Sequence, residues 1–174
     1  ESFSKNWNEM SEKSEQAFES LMGEETSQAF DNESSIAFPN GSSETERPAK
    51  VRRHQTFFRN TVLASYEYRC ALTGLAIPKL LVASHIIPWS QNEERRTDPT
   101  NGLCLNALHD RAFDRHLITF DEDFRLIVSD VLKSRNATEF QSLNFIRLEG
   151  SKLSMPHRFM PDRVAIEEHR KQLI

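Results

Sequence analysis

The sequence predicts an α+β protein, and three observations carry that reading. Apolar residues recur at helical spacing in separated stretches, 54–68 and 164–173. Short β-prone runs sit at 80–87, 101–105, 117–120 and 124–128. Helices do not alternate regularly with these strands, as the crossovers of a parallel sheet would require.

Each element follows from local chemistry. Residues Phe3 to Met22 place Trp7, Met10, Ala17, Phe18, Leu21 and Met22 at roughly helical spacing among Glu and Lys, which suits an amphipathic helix. From Gly23 to Lys50 the chain turns to Ser, Glu, Asn, Pro and Gly, too poor in apolar surface to offset the entropy of ordering, and reads as a linker. The alternative is an ordered loop docked through Ile36, Ala37 and Phe38. Order is expected from about Val51. His54 to Tyr68 sets Phe57, Phe58, Val62, Leu63 and Tyr66 on one helix face, with Arg59 and Glu67 outside. Gly74 suits a turn after Cys70. Leu80 to Ile87 is a strand ended by Pro88, and Asn101 to Leu105 a second, with the polar stretch Ser90 to Thr100 between them. Asn106 is positioned as the N-cap of a helix over Ala107 to Arg115. Leu117 to Phe120 and Phe124 to Val128 form a hairpin across Asp121-Glu122-Asp123, and Val164 to Leu173 is a closing helix. The expected domains are residues 1–50, an acidic helix plus linker, and residues 51–174, the folded unit.

Composition narrows the classes of function. The length of 174 residues suits one domain of ordinary size. No apolar run approaches the roughly 18 residues of a membrane span. The opening residues lack the apolar core of a secretory signal, so the expected location is cytoplasmic. Cys70 and Cys104 are too few for a disulfide framework and form no CxxC pair, so both are expected reduced and packed. The net charge of −4 argues against a nucleic-acid partner until it is divided along the chain. Residues 1–50 hold 4 basic and 11 acidic side chains, 4 − 11 = −7, whereas 51–174 hold 18 and 15, 18 − 15 = +3. A mildly basic remainder permits DNA binding without demanding it.

The segment 80–116 carries the chemistry. His85 ends an apolar strand, and an imidazole with an ordinary pKa of about 6.5 is a usable base at neutral pH. Asn101 precedes Gly102 at the start of the next strand, where its amide can hold the base-bearing loop. His109 falls near the first turn of the following helix, where a ring nitrogen can take a divalent cation beside His85. Arg95, Arg96, Arg111 and Arg115 flank these residues and suit backbone phosphates, although a solvated face explains isolated charges equally well.

His85, Asn101 and His109, spaced by 16 and 8 residues, resemble the ββα-metal motif of HNH (His-Me finger) nucleases. The wider set is Phe57-Phe58-Arg59, Tyr66, Cys70-Ala-Leu-Thr-Gly74, Ala83-Ser-His-Ile-Ile-Pro-Trp89, Asn101-Gly-Leu-Cys-Leu105, His109-Asp-Arg-Ala-Phe-Asp114 and His169-Arg170. It is similar to bacterial HNH proteins of the restriction type over about residues 51–174. The resemblance implies a ββα-metal core with flanking helices and a C-terminal β-hairpin. It also implies a general base at His85, a loop-orienting amide at Asn101 and a metal ligand at His109. Where many HNH nucleases have a second metal ligand this chain has Ser84, so the carboxylate falls to Asp114 or to Asp110, or the metal is held by one protein ligand, waters and phosphate. The implied cofactor is Mg²⁺ or Mn²⁺, with Ni²⁺ open as a partner for imidazole.

The implied activity is metal-dependent hydrolysis of phosphodiester bonds in double-stranded DNA, in restriction or phage defence. It would work with an upstream recognition domain or partner, and as a homodimer if both strands are cut together. The competing readings are a non-cleaving DNA-binding module and an RNA nuclease. Taken alone, His85 would be a buried, hydrogen-bonded histidine; Cys70 and Cys104 are read as packing residues, with a zinc site made with His109 or His116 as the minor alternative.

Overall fold

The computed structural model describes residues 47–174, with side-chain surroundings from residue 54 onward. The expected N-terminal amphipathic helix and all but the last residues of the expected linker lie outside the described residues. Two compact units divide at Phe57 and Phe58. The described part of the first is the opening of helix α1, Arg47–Ser65, so Arg47 to Lys50 are helical rather than linker.

Within the second unit, Phe58, Val62, Leu63 and Tyr66 are buried, as the periodicity predicts. The helix stops at Ser65, three residues before the expected end. Glu67 and Tyr68 adopt left-handed φ of 53° and 54°, and the amides of Glu67 and Tyr68 return to the carbonyls of Ala64 and Leu63 at 3.1 and 2.8 Å. Arg59 does not face away as its place on the helix suggested. Its Nη1 donates to the Leu81 carbonyl at 2.9 Å and ties α1 to the next strand.

Strands β1, Leu81–His85, and β2, Gly102–Asn106, pair antiparallel with His85 opposite Gly102. Gly102 has no Cβ because there is no room for one: it would stand 2.5 Å from Val62 Cγ2 and 2.9 Å from Phe58 Cζ. The absence of that methyl lets α1 close onto the sheet. Helix α2, Ala107–Asp114, begins where expected, with the Asn106 side chain accepting from the His109 amide at 2.9 Å. Together β1, β2 and α2 form the ββα unit, and Phe113, Leu103 and Leu105 are fully buried in its core.

The second hairpin is β3, Ile118–Phe120, with β4, Leu126–Val128. Its turn is held by Asp121, whose carboxylate accepts from the amides of Asp123 and Arg125 at 2.8 Å each. Helix α3, Glu139–Asn144, has no counterpart in the sequence reading. Its signal is the capping box between Thr138 and Gln141, which six residues of helix are too short to reinforce with a periodic stripe. Helix α4, Arg163–Arg170, is capped by Asp162 and buries Ala165, Ile166 and His169. His169 donates Nε2–H to the Phe113 carbonyl at 3.0 Å and its Nδ1 accepts from the Thr119 hydroxyl at 2.9 Å, joining α4 to α2 and β3. Its ring stacks on Phe113 at 3.7 Å. Among the described residues, no helix is long and apolar enough to cross a membrane.

Two measurements test this packing. Gly102→Ala must push Val62 and Phe58 aside and is expected to lower urea-unfolding stability by about 1–3 kcal/mol. An unchanged midpoint would contradict the close approach. Burial lowers the His169 pKa from 6.5 to about 4, so the unfolded chain takes up this proton first as the pH falls. The contribution is therefore complete above about pH 6.5 and is lost toward pH 4, up to about 3 kcal/mol. Unfolding midpoints compared at pH 7 and pH 5 should fall for the native chain and fall less for His169→Gln.

Candidate active site

His85 closes β1 with its ring held on two sides. Phe58 stacks on it at 3.7 Å and 11°, and Trp89 meets it edge-on at 5.7 Å. Its Nε2 lies 3.0 Å from the Arg96 carbonyl. A carbonyl only accepts, so Nε2 carries the hydrogen and Nδ1 keeps its lone pair. Burial lowers the ring's pKa below 6.5, opposed by the Arg96 carbonyl and the charge of Asp114. The resting group is a neutral imidazole with a fixed tautomer, which is what a proton acceptor at neutral pH requires.

Asn101 holds the loop that makes this possible. Its Oδ1 accepts from the Ile87 amide at 2.9 Å, and its Nδ2 donates to the carbonyls of Ile87 and Arg95 at 3.0 and 3.3 Å. Its own carbonyl accepts from Ile86 N at 2.9 Å. The same loop engages two of the four arginines the sequence offered to DNA. Arg95 pairs with Asp162 at 2.6 Å. Arg96 donates from Nε to the Trp89 carbonyl at 3.0 Å, lies over the Trp89 ring at 5.2 Å and pairs with Glu93 at 3.1 Å. Both side chains are tied up within the protein. Arg111 on α2 and Arg115 just after it, in contrast, are exposed and line the cleft.

The structure does not bring His109 to His85. His109 is 1% exposed, its Nε2 donates to the Asn144 carbonyl at 2.8 Å, and its ring meets Phe145 edge-on at 5.5 Å. The expectation of a metal ligand at His109 is therefore corrected. One residue of helix is a turn of about 100°, so His109 faces α3 while Asp110 faces the cleft. Asp114, four residues beyond Asp110, shares its face.

A pocket of about 460 Å³ is walled by Ser84 and His85 from β1, Asp110, Arg111 and Asp114 from α2, and Arg115 and His116 just after it. Both carboxyls titrate above the ordinary range because burial disfavours their charge. At Asp110 the Ser84 hydroxyl and Arg111 oppose that shift and the neighbouring Asp114 adds to it. At Asp114, Arg111 and His85 oppose it. The Ser84 hydroxyl is buried and lacks a partner at full hydrogen-bond geometry, although it faces Asp110 closely enough to favour the carboxylate. Among the described residues no group of three or more His, Cys, Asp or Glu side chains could hold a metal ion. Two carboxylates of raised pKa beside a serine hydroxyl do suit a hard cation that retains waters and takes its remaining oxygens from phosphate.

A model of a family described as HNH endonuclease matches residues 70–121. This segment of the chain is therefore similar to HNH endonucleases. The match spans β1, β2, α2 and β3, so the matched segment contains His85, Asn101, Asp110, Asp114 and His116, whereas α1, α3 and α4 lie outside it. A solved structure described as "Modification dependent TagI restriction endonuclease" is 21% identical over 67% of this chain, with a TM-score of 0.47. The chain spans 37% of that protein's length. Comparison with curated proteins finds no significant match.

The sequence reading held Asp110 only as an alternative to Asp114, and it did not assign Ser84 a place beside Asp110 or Phe58 a place under His85. The i, i+4 spacing of the two carboxylates was the available signal. Asn101→Ala removes three side-chain hydrogen bonds at about 1 kcal/mol each. Amide exchange of residues 86–96 is expected to speed up far more than that of α2. Uniform acceleration across residues 70–121 would show that Asn101 supports the whole fold rather than this loop.

Proposed function

We propose that the chain is a metal-dependent endonuclease that hydrolyses phosphodiester bonds in double-stranded DNA, with residues 51–174 as its nuclease unit in a restriction or phage-defence system. The observation that carries this reading is a neutral imidazole with a free Nδ1 in the same pocket as two carboxylates. A non-cleaving DNA module has no need of such a base.

His85 Nδ1 takes the proton of a water molecule, and the hydroxide oxygen attacks phosphorus in line with the departing oxygen. The P–O bond to the leaving sugar breaks, and the departing oxygen is protonated from solvent. The Arg96 carbonyl stabilises the imidazolium that forms, because Nε2–H points at it throughout. Phe58 keeps the ring from turning, and Asn101 keeps the Arg96 carbonyl in reach. Asp110 and Asp114 would hold Mg²⁺ or Mn²⁺, which supplies charge neutralisation at the phosphate. With His109 facing α3, the set is one of oxygen donors, which weakens the case for Ni²⁺. Arg111 and Arg115 are free to contact phosphates flanking the scissile one.

Nicking of supercoiled plasmid tests the reading, with Mg²⁺, Mn²⁺ or chelator present. His85→Ala should lose at least about 100-fold in rate. Asp114→Asn should lose activity and require more metal to recover part of it. Equal nicking by wild type and His85→Ala, or none by wild type under any metal, would sink the enzyme. Faster cleavage of RNA than DNA would move the substrate class while leaving the chemistry.

A further inference from the structure

His116 is the wrong residue for its backbone. Helix α2 ends in a Schellman motif: the His116 amide donates to Phe113 O at 2.9 Å and the Leu117 amide to Ala112 O at 2.9 Å. This places His116 at the position that must be left-handed, and its φ is 54°. Glycine occupies such a position without steric cost, whereas a side chain there is strained. The histidine is not explained by bonding within the chain either. His85, His109 and His169 each donate Nε2–H to a backbone carbonyl, whereas the His116 ring makes no such bond, and its Nδ1, like that of His109, is buried without a partner. Its ring leans on His169 at 4.6 Å and lines the pocket that holds His85, Asp110 and Asp114.

The pocket explains what such a ring would serve. It opens beside the C-terminal end of α2, where the helix dipole repels anions, and two carboxylates add to the repulsion. A DNA phosphate entering there needs donors. Arg111 and Arg115 provide charge on long, exposed stems, whereas His116 sits on a backbone fixed by the helix end and by the Ile174 amide, which donates to its carbonyl at 3.1 Å. We propose that His116 is a substrate-contacting residue that donates a ring N–H to a non-bridging oxygen of a DNA phosphate in this pocket, at some expense to backbone stability. This rests on the nuclease reading above.

The test uses the full chain with His116→Gly and His116→Asn. Asparagine tolerates the left-handed region and retains a donor. Melting temperature should be unchanged or raised for His116→Gly, which a residue kept only for packing would not allow. KM for nicking should rise about tenfold in His116→Gly, with kcat within about threefold, and His116→Asn should lie between. Binding of a short mixed-sequence duplex in chelator, measured in the His85→Ala background, should weaken about tenfold with His116→Gly. Unchanged KM and unchanged duplex affinity, or a large fall in melting temperature with both preserved, would overturn the inference. Binding weakened as stated in a chain whose wild type never cuts would overturn the nuclease reading and leave the phosphate contact standing.

Discussion

One side-chain amide governs the geometry of the site. Asn101 stands between β2 and the loop that leaves β1, and its side chain satisfies backbone groups of Ile87 and Arg95 in that loop. The Arg96 carbonyl follows directly, and that carbonyl decides which nitrogen of His85 carries the hydrogen. The tautomer of His85 is thus set at one remove, by a residue 16 positions away in sequence. A helix or strand could not do this, because its own ladder consumes the backbone groups that the loop leaves available.

The electrostatics of the cleft are built from one short helix. Asp110 and Asp114 form one row of α2, and Arg111 with Arg115, the residue that caps its end, the adjacent row, so carboxylates and guanidinium groups line the same pocket. The modest positive excess of residues 51–174 conceals this arrangement. Arg95 and Arg96, which contribute equally to that sum, are used internally on Asp162, Glu93 and Trp89. Charge counted along a chain cannot distinguish a guanidinium left exposed in a cleft from one already paired.

The ββα unit was legible because its signals are local: an apolar run closed by Pro88, an Asn-Gly pair, and an Asn106 cap three residues before the amide it accepts from. His85 and Asn101 were legible with it, since a strand end and a strand start fix position closely. His109 was not, and the reason is α3. Spacing along a helix gives a residue's height but not which neighbour it faces, and the neighbour that takes His109 is the Asn144 carbonyl of a six-residue helix absent from the sequence reading. Two misses therefore have one cause. Arg59 failed in the same way, because its Leu81 partner belongs to a contact 22 residues away that periodicity cannot anticipate.

The Asn101-Gly102 pair has a consequence for how the molecule ages. Asparagine followed by glycine is the sequence most prone to lose ammonia, because the unhindered glycine nitrogen attacks the side-chain carbonyl to close a succinimide ring. Here that nitrogen is occupied by the Pro99 carbonyl and the side-chain amide is locked by its loop partners, so neither can swing into the reactive alignment. Damage at this bond would accumulate in molecules that have opened. An aspartate left there would meet two carbonyl oxygens with negative charge where a donor had been, which would hinder those molecules from closing again.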